Sequence, residues 1–491
     1  MRRLVFWLLV WLCVGLVVAV AAGQTRDQNW DKCKADDPDT SIAGCTALIQ
    51  SGQESTNDQA SAYYNRGIAY ENKKMLDQSL ADLNQALQLR PNFPSALNSR
   101  GITYYDMKQY DRAIADYTQA LQLDPAHKLA YYNRGNAFFD TGDYQKSVDD
   151  YNRYLELAPT DPDGFNNRGH AYMSLRDYDH AEEDFNSALR LDPRHANAVL
   201  NLGIVYNRRK QYDRAIAQFQ TYLTLRPTGE TGYGAMGDAH RHMMQYQLAI
   251  ADYTKALALD PQYALAYFDR GVSYNRSGQY DSAIDDFARY IELAPKDPDG
   301  YNSRGLASVG KGQYEQAVGD FGKAHEVQTN NQISFFDTGC AHLLEGRTRE
   351  AIADFELSAS MNPASSDAVY AAIWLHVAKK SVGEDDTQAM ANAATQAKNL
   401  DSWPGPALKL FLNRATSDQM LAAASSPDPE TQTQQMCEAN FYAGEDALSH
   451  QRRGAATLLF EAARAGCPKD YVEYAGAAME LKRMSAAASR R

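Results

Sequence analysis

Positive charge is in short supply: 49 Lys and Arg stand against 62 Asp and Glu, a formal charge of −13, and a surface of that sign is a poor match for nucleic acid or anionic lipid. Proline is sparse, with 17 in 491 residues, and most of it recurs at regular intervals, so long stretches between are free to be helical. No nucleotide-binding glycine loop, paired-histidine zinc helix, nucleophile elbow or C-x-x-C pair occurs, which removes the usual signatures of catalysis. The expectation is therefore a binding protein with no enzymatic activity, cofactor, metal or small-molecule substrate, whose partner is a protein or peptide. Long apolar runs are also scarce. The one present, Leu4 to Val20 after Arg2 and Arg3, has the charged and apolar regions of a secretory signal. Small residues at Ala19–Gly23 offer cleavage, so residues 1–22 read as a signal peptide and the mature chain as starting near Gly23. The expected location is periplasmic or secreted. If the run stayed uncleaved it would anchor the chain in the inner membrane, the one case in which membrane contact is expected.

Only six cysteines occur, and Cys13 lies in the leader. Export permits disulfides, and proximity pairs Cys33 with Cys45 ahead of the main body and Cys437 with Cys467 near its end. Cys340 is left over and reads as a small buried apolar residue.

What the sequence has in abundance is repetition. Glycine recurs at 67, 101, 135, 169, 203, 237, 271, 305 and 339, a period of 34 held through nine units. Twelve positions after each glycine stands a small residue, Ser79 through Ala351, and sixteen after it a large apolar one, Leu83 through Phe355. Proline then closes eight of the nine units, from Pro91 to Pro363. Small residues let two antiparallel helices approach, the large side chain fills the space between them, and proline ends the second helix.

The period and the Gly/Tyr/Ala/Phe/Pro pattern, clearest from Tyr131-Tyr132-Asn133-Arg134-Gly135 to Pro159, resemble the tetratricopeptide repeat (TPR) family. That resemblance implies an all-α fold: a right-handed α/α superhelix, a TPR solenoid, in which the first helix of each pair lines a concave groove. The predicted organisation is an N-terminal cap over residues 23–59, nine repeats over 60–365, a degenerate helical pair and connector over 366–436, a tenth TPR-like unit over 437–470, and a capping helix and tail over 471–491. The tenth unit rests on Gly444, Ala456, Phe460, Ala463 and Pro468 at the repeat's offsets. Its antiparallel helices would bring Cys437 and Cys467 together, giving disulfide-stapled caps at both ends. Pro427-Asp428-Pro429-Glu430 reads as an exposed loop.

Three features could carry chemistry. Asp161-Pro162-Asp163-Gly164 and Asp297-Pro298-Asp299-Gly300 begin like calcium loops but lack the closing Glu, and read as turns with helix caps. Asp238, His240 and His242 are close in sequence, but i, i+2 spacing on a helix points the imidazoles apart. Arg precedes the repeat glycine at 66, 100, 134, 168, 270 and 304, and Asp recurs in the second helix at 82, 116, 150, 184, 252, 286, 320 and 354. The fifth repeat lacks both, which suggests a structural Arg–Asp pair of unassigned register.

The groove is the better binding candidate. Asn65, Asn98, Asn133, Asn166, Asn167, Asn201 and Asn302 follow the first helices, with Tyr64, Tyr105, Tyr132, Asn136 and His170 projecting nearby. An amide offers two donors and an acceptor, so a row of amides can pair with the backbone of an extended peptide of any sequence. This row is similar to that lining the TPR superhelix of O-linked N-acetylglucosamine transferases, which implies a peptide-holding role. The segment Cys437–Gly444, with Lys469–Tyr474 and Glu480-Leu481 after it, resembles the end of the bacterial new lipoprotein I family, envelope adaptors that hold peptidoglycan hydrolases and proteases together. It implies a scaffold that organises cell-envelope enzymes. The alternative is a periplasmic chaperone-like holdase or assembly factor for secreted or surface components.

Overall fold

The structure, a computed structural model, describes residues 25–329 and 331–488. The expected leader lies outside them. The described residues form 27 α-helices, and the chain divides into two compact units, residues 1–205 and 206–491.

In the first unit a short hairpin, Arg26–Cys33 and Pro38–Ser51, precedes four helix pairs. These are Thr56–Asn72 with Leu76–Leu89, Pro94–Asp106 with Tyr110–Leu123, Lys128–Asp140 with Tyr144–Leu157, and Pro162–Ser174 with Tyr178–Leu191. The hairpin is closed by the Cys33–Cys45 disulfide and buries both sulfurs with Leu48 against Ala62 of the first repeat. The packing follows the sequence pattern. A Cβ built on Gly101 would lie 2.5 Å from Cε1 of Tyr117, so the ring sits where any other residue would place a side chain. Alanines at the small positions, Ala113 and Ala181, are fully buried.

The turn between the helices of a pair has its own backbone requirement. The residue seven places after the repeat glycine has φ between 57° and 94° in every repeat, filled by Gly142, Gly278, Gly312 and Gly346 but by Lys74, Lys108, Arg176, Lys210 and Met244 in the rest. The non-glycine residues accept a left-handed conformation costing about 1 kcal/mol each. Repetition of one turn geometry, not residue identity, preserves the 34-residue register.

The second unit contains the pairs Glu230–His242 with Tyr246–Leu259, Ala264–Arg276 with Tyr280–Leu293, Pro298–Lys311 with Tyr314–Val327, and Gln332–Glu345 with Thr348–Met361. A C-terminal body follows: Ser366–Ser381, Thr387–Gln396, two short helices, then Pro429–Ser449, Arg453–Gly466 and Val472–Ala488. Its core is continuous with the ninth repeat, running from Cys340 and Phe355 through Trp374 to Phe441, Phe460 and Ala477. Helices 429–449 and 453–466 repeat the pair geometry, with a Cβ built on Gly444 lying 2.6 Å from Cε1 of Phe460 and Gln451 left-handed at the turn. The Cys437–Cys467 disulfide is formed, and Cys340 is free and buried. Cys437 lies well inside its helix, which starts at Pro429. No helix among the described residues is long and apolar enough to cross a membrane.

One expectation is corrected. Residues 427–430 are not a free loop. Asp428 caps the 429–449 helix by accepting from the backbone N of Thr431, with Pro429 at the first helical position, and both Asp428 and Glu430 are tied to the repeats. An Asp-Pro pair is a helix-start signal as much as a loop signal.

Candidate binding face

In six of the nine repeats the first helix is held in place by the Arg–Asp pair, whose register the structure fixes. Arg66, Arg100, Arg134, Arg168, Arg270 and Arg304 each donate through Nε and one terminal nitrogen to both carboxylate oxygens of the Asp sixteen residues on, at 2.6–3.0 Å. The remaining nitrogen of five of them reaches back to the preceding second helix, at Thr46, Asn84, Thr118, Asn152 and Thr254. One guanidinium thus joins three helices. Burial pushes the carboxyls of Asp150, Asp184 and Asp286 upward, and the Arg partner opposes this. Where the Arg is lost, at Met236 and Thr338, the Asp finds another partner: Asp252 bonds Nδ1 of His240 and Asp354 bonds Nδ1 of His342, both at 2.7 Å. Sequence reasoning missed these stand-ins. The signal was present, since both histidines sit three places after the repeat glycine in the two repeats that keep Asp without Arg.

His240 is therefore structural, and its two neighbours face elsewhere. His242 stacks on Tyr212 and meets Glu430 at 3.4 Å, while Asp238 accepts from the hydroxyl of Tyr253. Among the described residues no group of three potential ligands is placed to hold a metal ion. Asp161 and Asp297 act as helix caps, accepting from the backbone N of Asp163 and Asp299.

Within each unit the first helices of successive repeats approach one another more closely than the second helices do, so they line the inner curve. Here the asparagine row splits into two kinds. Asn98, Asn166 and Asn302 are buried, at 6–8% exposure, and accept from Asn133, Asn201 and Ser334 of the next repeat at 3.0–3.1 Å. Asn65, Asn133, Asn136, Asn167 and Asn201 are half-buried. Asn167 donates to the hydroxyl of Tyr132 at 2.9 Å, and Asn136 accepts from that of Tyr151. Amides of neighbouring repeats therefore bond one another, where the sequence pattern offered them only to a peptide backbone. The aromatic candidates are half-buried beside them: Tyr64 packs on Phe93, Tyr105 donates to Asp140, and His170 packs on Phe139 with burial lowering its pKa.

In the second unit the inner face differs. Asp337, at the row position of Asn133, is only 6% exposed, and burial together with Asp367 and Glu473 pushes its carboxyl up to about 7. Phe336 beside it packs on Trp374 of the C-terminal body. That body also grips the turn edge of the repeats. Lys210 pairs with Asp428 at 2.5 Å, Arg276 lies 3.3 Å from Glu430 and 3.1 Å from Asp470, and the hydroxyl of Tyr280 donates to the carbonyl of Lys469. The C-terminal body covers the ninth repeat's inner face, while Asn133, Asn167 and Asn201 of the first unit stay half-buried.

Sequence profiles described as tetratricopeptide repeat match residues 60–93, 98–162, 166–230 and 238–301. No curated protein matches. Among solved structures, MamA is 31% identical over 33% of this chain and 94% of its own, with a TM-score of 0.31. YrrB, described as a TPR protein with an unusual peptide-binding site, is 23% identical over 38% of this chain and 95% of its own, at 0.33. PilW, described as a widely conserved type IV pilus biogenesis factor, is 20% identical over 41% of this chain and 94% of its own, at 0.39.

Proposed function

This chain belongs to the tetratricopeptide-repeat family of protein-binding scaffolds, and from that premise we propose that it is an exported adaptor that holds an extended segment of a client protein along the inner face of its first unit. The observation carrying this reading is the half-used amide row. Asn133 and Asn201 each spend one donor on a neighbour, while their carbonyl oxygens accept from no described group and one N–H remains. Such amides can pair with a peptide backbone without reading its side chains. The buried partners beneath, Asn98 and Asn166, hold them in register, so little side-chain freedom is lost on binding. The covered inner face at Asp337 supports placing the client in the first unit and not at the ninth repeat.

Two finer parts of the proposal rest on sequence alone: export by the residue 1–22 leader, and cell-envelope enzymes as clients by the new lipoprotein I resemblance. N-terminal sequencing of the purified protein tests the first, with a start near Gly23 expected and an intact Met1 overturning it. For the groove, an array of extended peptides of mixed sequence is probed with the parent and with the Asn133→Ala, Asn167→Ala, Asn201→Ala triple variant. Several hydrogen bonds of about 1 kcal/mol each would be lost, so affinity should drop by a factor on the order of 100. Equal binding by the two proteins would remove the groove from the proposal.

A further inference from the structure

Away from the inner face, the C-terminal body encloses a cavity of about 560 Å³. Helices 332–345 and 348–361 of the ninth repeat and helices 366–381, 405–411, 429–449 and 472–488 line it, and its apolar wall is formed by Leu343, Val377, Phe411, Leu448 and Met479. Five charged or titratable groups face it: His376 and Lys380 from one helix, Glu445 from a second, Glu480 and Arg483 from a third. Most are committed. Nδ1 of His376 bonds both oxygens of Asp386 at 2.9 Å, and Arg483 donates to Glu480 at 2.6 Å. The exposed Lys380 has no described hydrogen bond or ion pair, and neither has Glu445. Glu445 is half-buried, and its Oε1 is sealed from solvent without a partner. An acid left unpaired in a folded interior is costly unless something is there to meet it.

We propose that this cavity receives a protonated primary amine on a short aliphatic stem, with Glu445 as its counterion and the apolar wall as the bed for the stem. The cavity admits a four-carbon stem, and ammonium is the charge an unpaired carboxylate selects. Burial and the neighbouring Glu480 push the Glu445 carboxyl up to about 8, while Arg483 opposes this. At pH 7 the empty site therefore holds a neutral acid. When the ammonium group arrives already charged, the carboxyl releases its proton to solvent, so up to one proton leaves per amine bound.

The test is calorimetric titration of the full-length mature protein at pH 7 with n-butylammonium, with butyrate as the opposite charge and with N-acetyl-lysine amide as the side-chain form. Each titration is run in two buffers of different ionisation enthalpy, which reads proton release directly. Glu445→Gln mimics the neutral acid, so its thermal midpoint should match the parent while amine affinity falls at least tenfold and proton release disappears. Lys380→Gln removes a like charge that faces the cavity, so amine affinity should rise. Binding of acetyl-lysine amide points to a partner's lysine, and binding of butylammonium alone to a free amine; either supports the site. The proposal is overturned if no amine binds, if the parent releases no proton, if Glu445→Gln binds as tightly, or if butyrate binds instead.

Discussion

Replacing Arg134 by Ala asks how much of the repeat array depends on the guanidinium that joins three helices. The change removes two donations to Asp150 at 2.7 Å and one to Thr118 at 3.0 Å, and leaves Asp150, 5% exposed, with no cation. Breaking a well-buried pair costs about 3–5 kcal/mol. The Arg134 side chain is 18% exposed, so water can partly replace it, and about 3 kcal/mol is expected. Arg134→Lys keeps the charge but loses the fork and should lie between. The pH dependence has a definite sign. Burial already raises the Asp150 carboxyl against the opposing Arg, and without Arg it rises further. A group whose folded pKa lies above its unfolded value of about 3.9 favours folding below that pH and loses this as pH rises. The deficit of the variant should therefore be full at pH 7 and shrink toward pH 4. Because repeats open individually, the assay is amide hydrogen exchange over residues 128–157 alongside urea unfolding. A loss below about 0.5 kcal/mol, as for an exposed pair, would refute the reasoning. So would failure of Arg134→Met with Asp150→Leu to restore stability to within about 1 kcal/mol of the parent, since replacing both partners removes the stranded charge.

Arg276→Ala should release Glu430 and Asp470 together, raising hydrogen exchange in residues 428–431 and 469–471 while residues 56–191 exchange as before. Reducing the Cys437–Cys467 bridge, which spans 30 residues, should destabilise the C-terminal body by about 3.5 kcal/mol from loop closure, measured by unfolding with and without reductant against a Cys437→Ala, Cys467→Ala control. Burial and the neighbouring Glu473 push Glu438 up to about 8, so the folded form holds this proton more firmly than the unfolded one. Stability should then fall as pH rises from about 4.5 through 8, and Glu438→Gln should flatten that slope in a thermal-unfolding series.

What was legible in the sequence is what repeats. Glycine, the small residue, the aromatic and proline recur at fixed offsets because each helix pair solves the same packing problem, and the nine-fold recurrence makes the solution visible. The Arg–Asp pair was visible as a pair but not in register, since columns of equally spaced residues match at more than one offset; the rigid fork meeting both carboxylate oxygens selects sixteen. The self-pairing of the asparagine row was hidden for a related reason. Asn133 meets Asn98 because adjacent first helices nearly touch, a distance set by the stacking of pairs and not by either residue. Contacts such as Arg276 with Glu430 occur once and join residues 154 apart, so they leave no periodic trace. Asp428 was misread because Pro-Asp-Pro-Glu is the same string whether it ends in solvent or caps a docked helix.

A stack of helix pairs yields to tension as a coil spring does, through many small rotations between neighbours. In the second unit, one helix start lies against Lys210, His242 and Arg276, which belong to three successive repeats. It acts as a crossbar over those coils. Pulled along its length, this stretch should lengthen little until the crossbar lets go and then give way abruptly, whereas coils without a crossbar stretch gradually. A client whose docking requires the coil to open or tighten would find compliance in one stretch of the molecule and a fixed pitch in another.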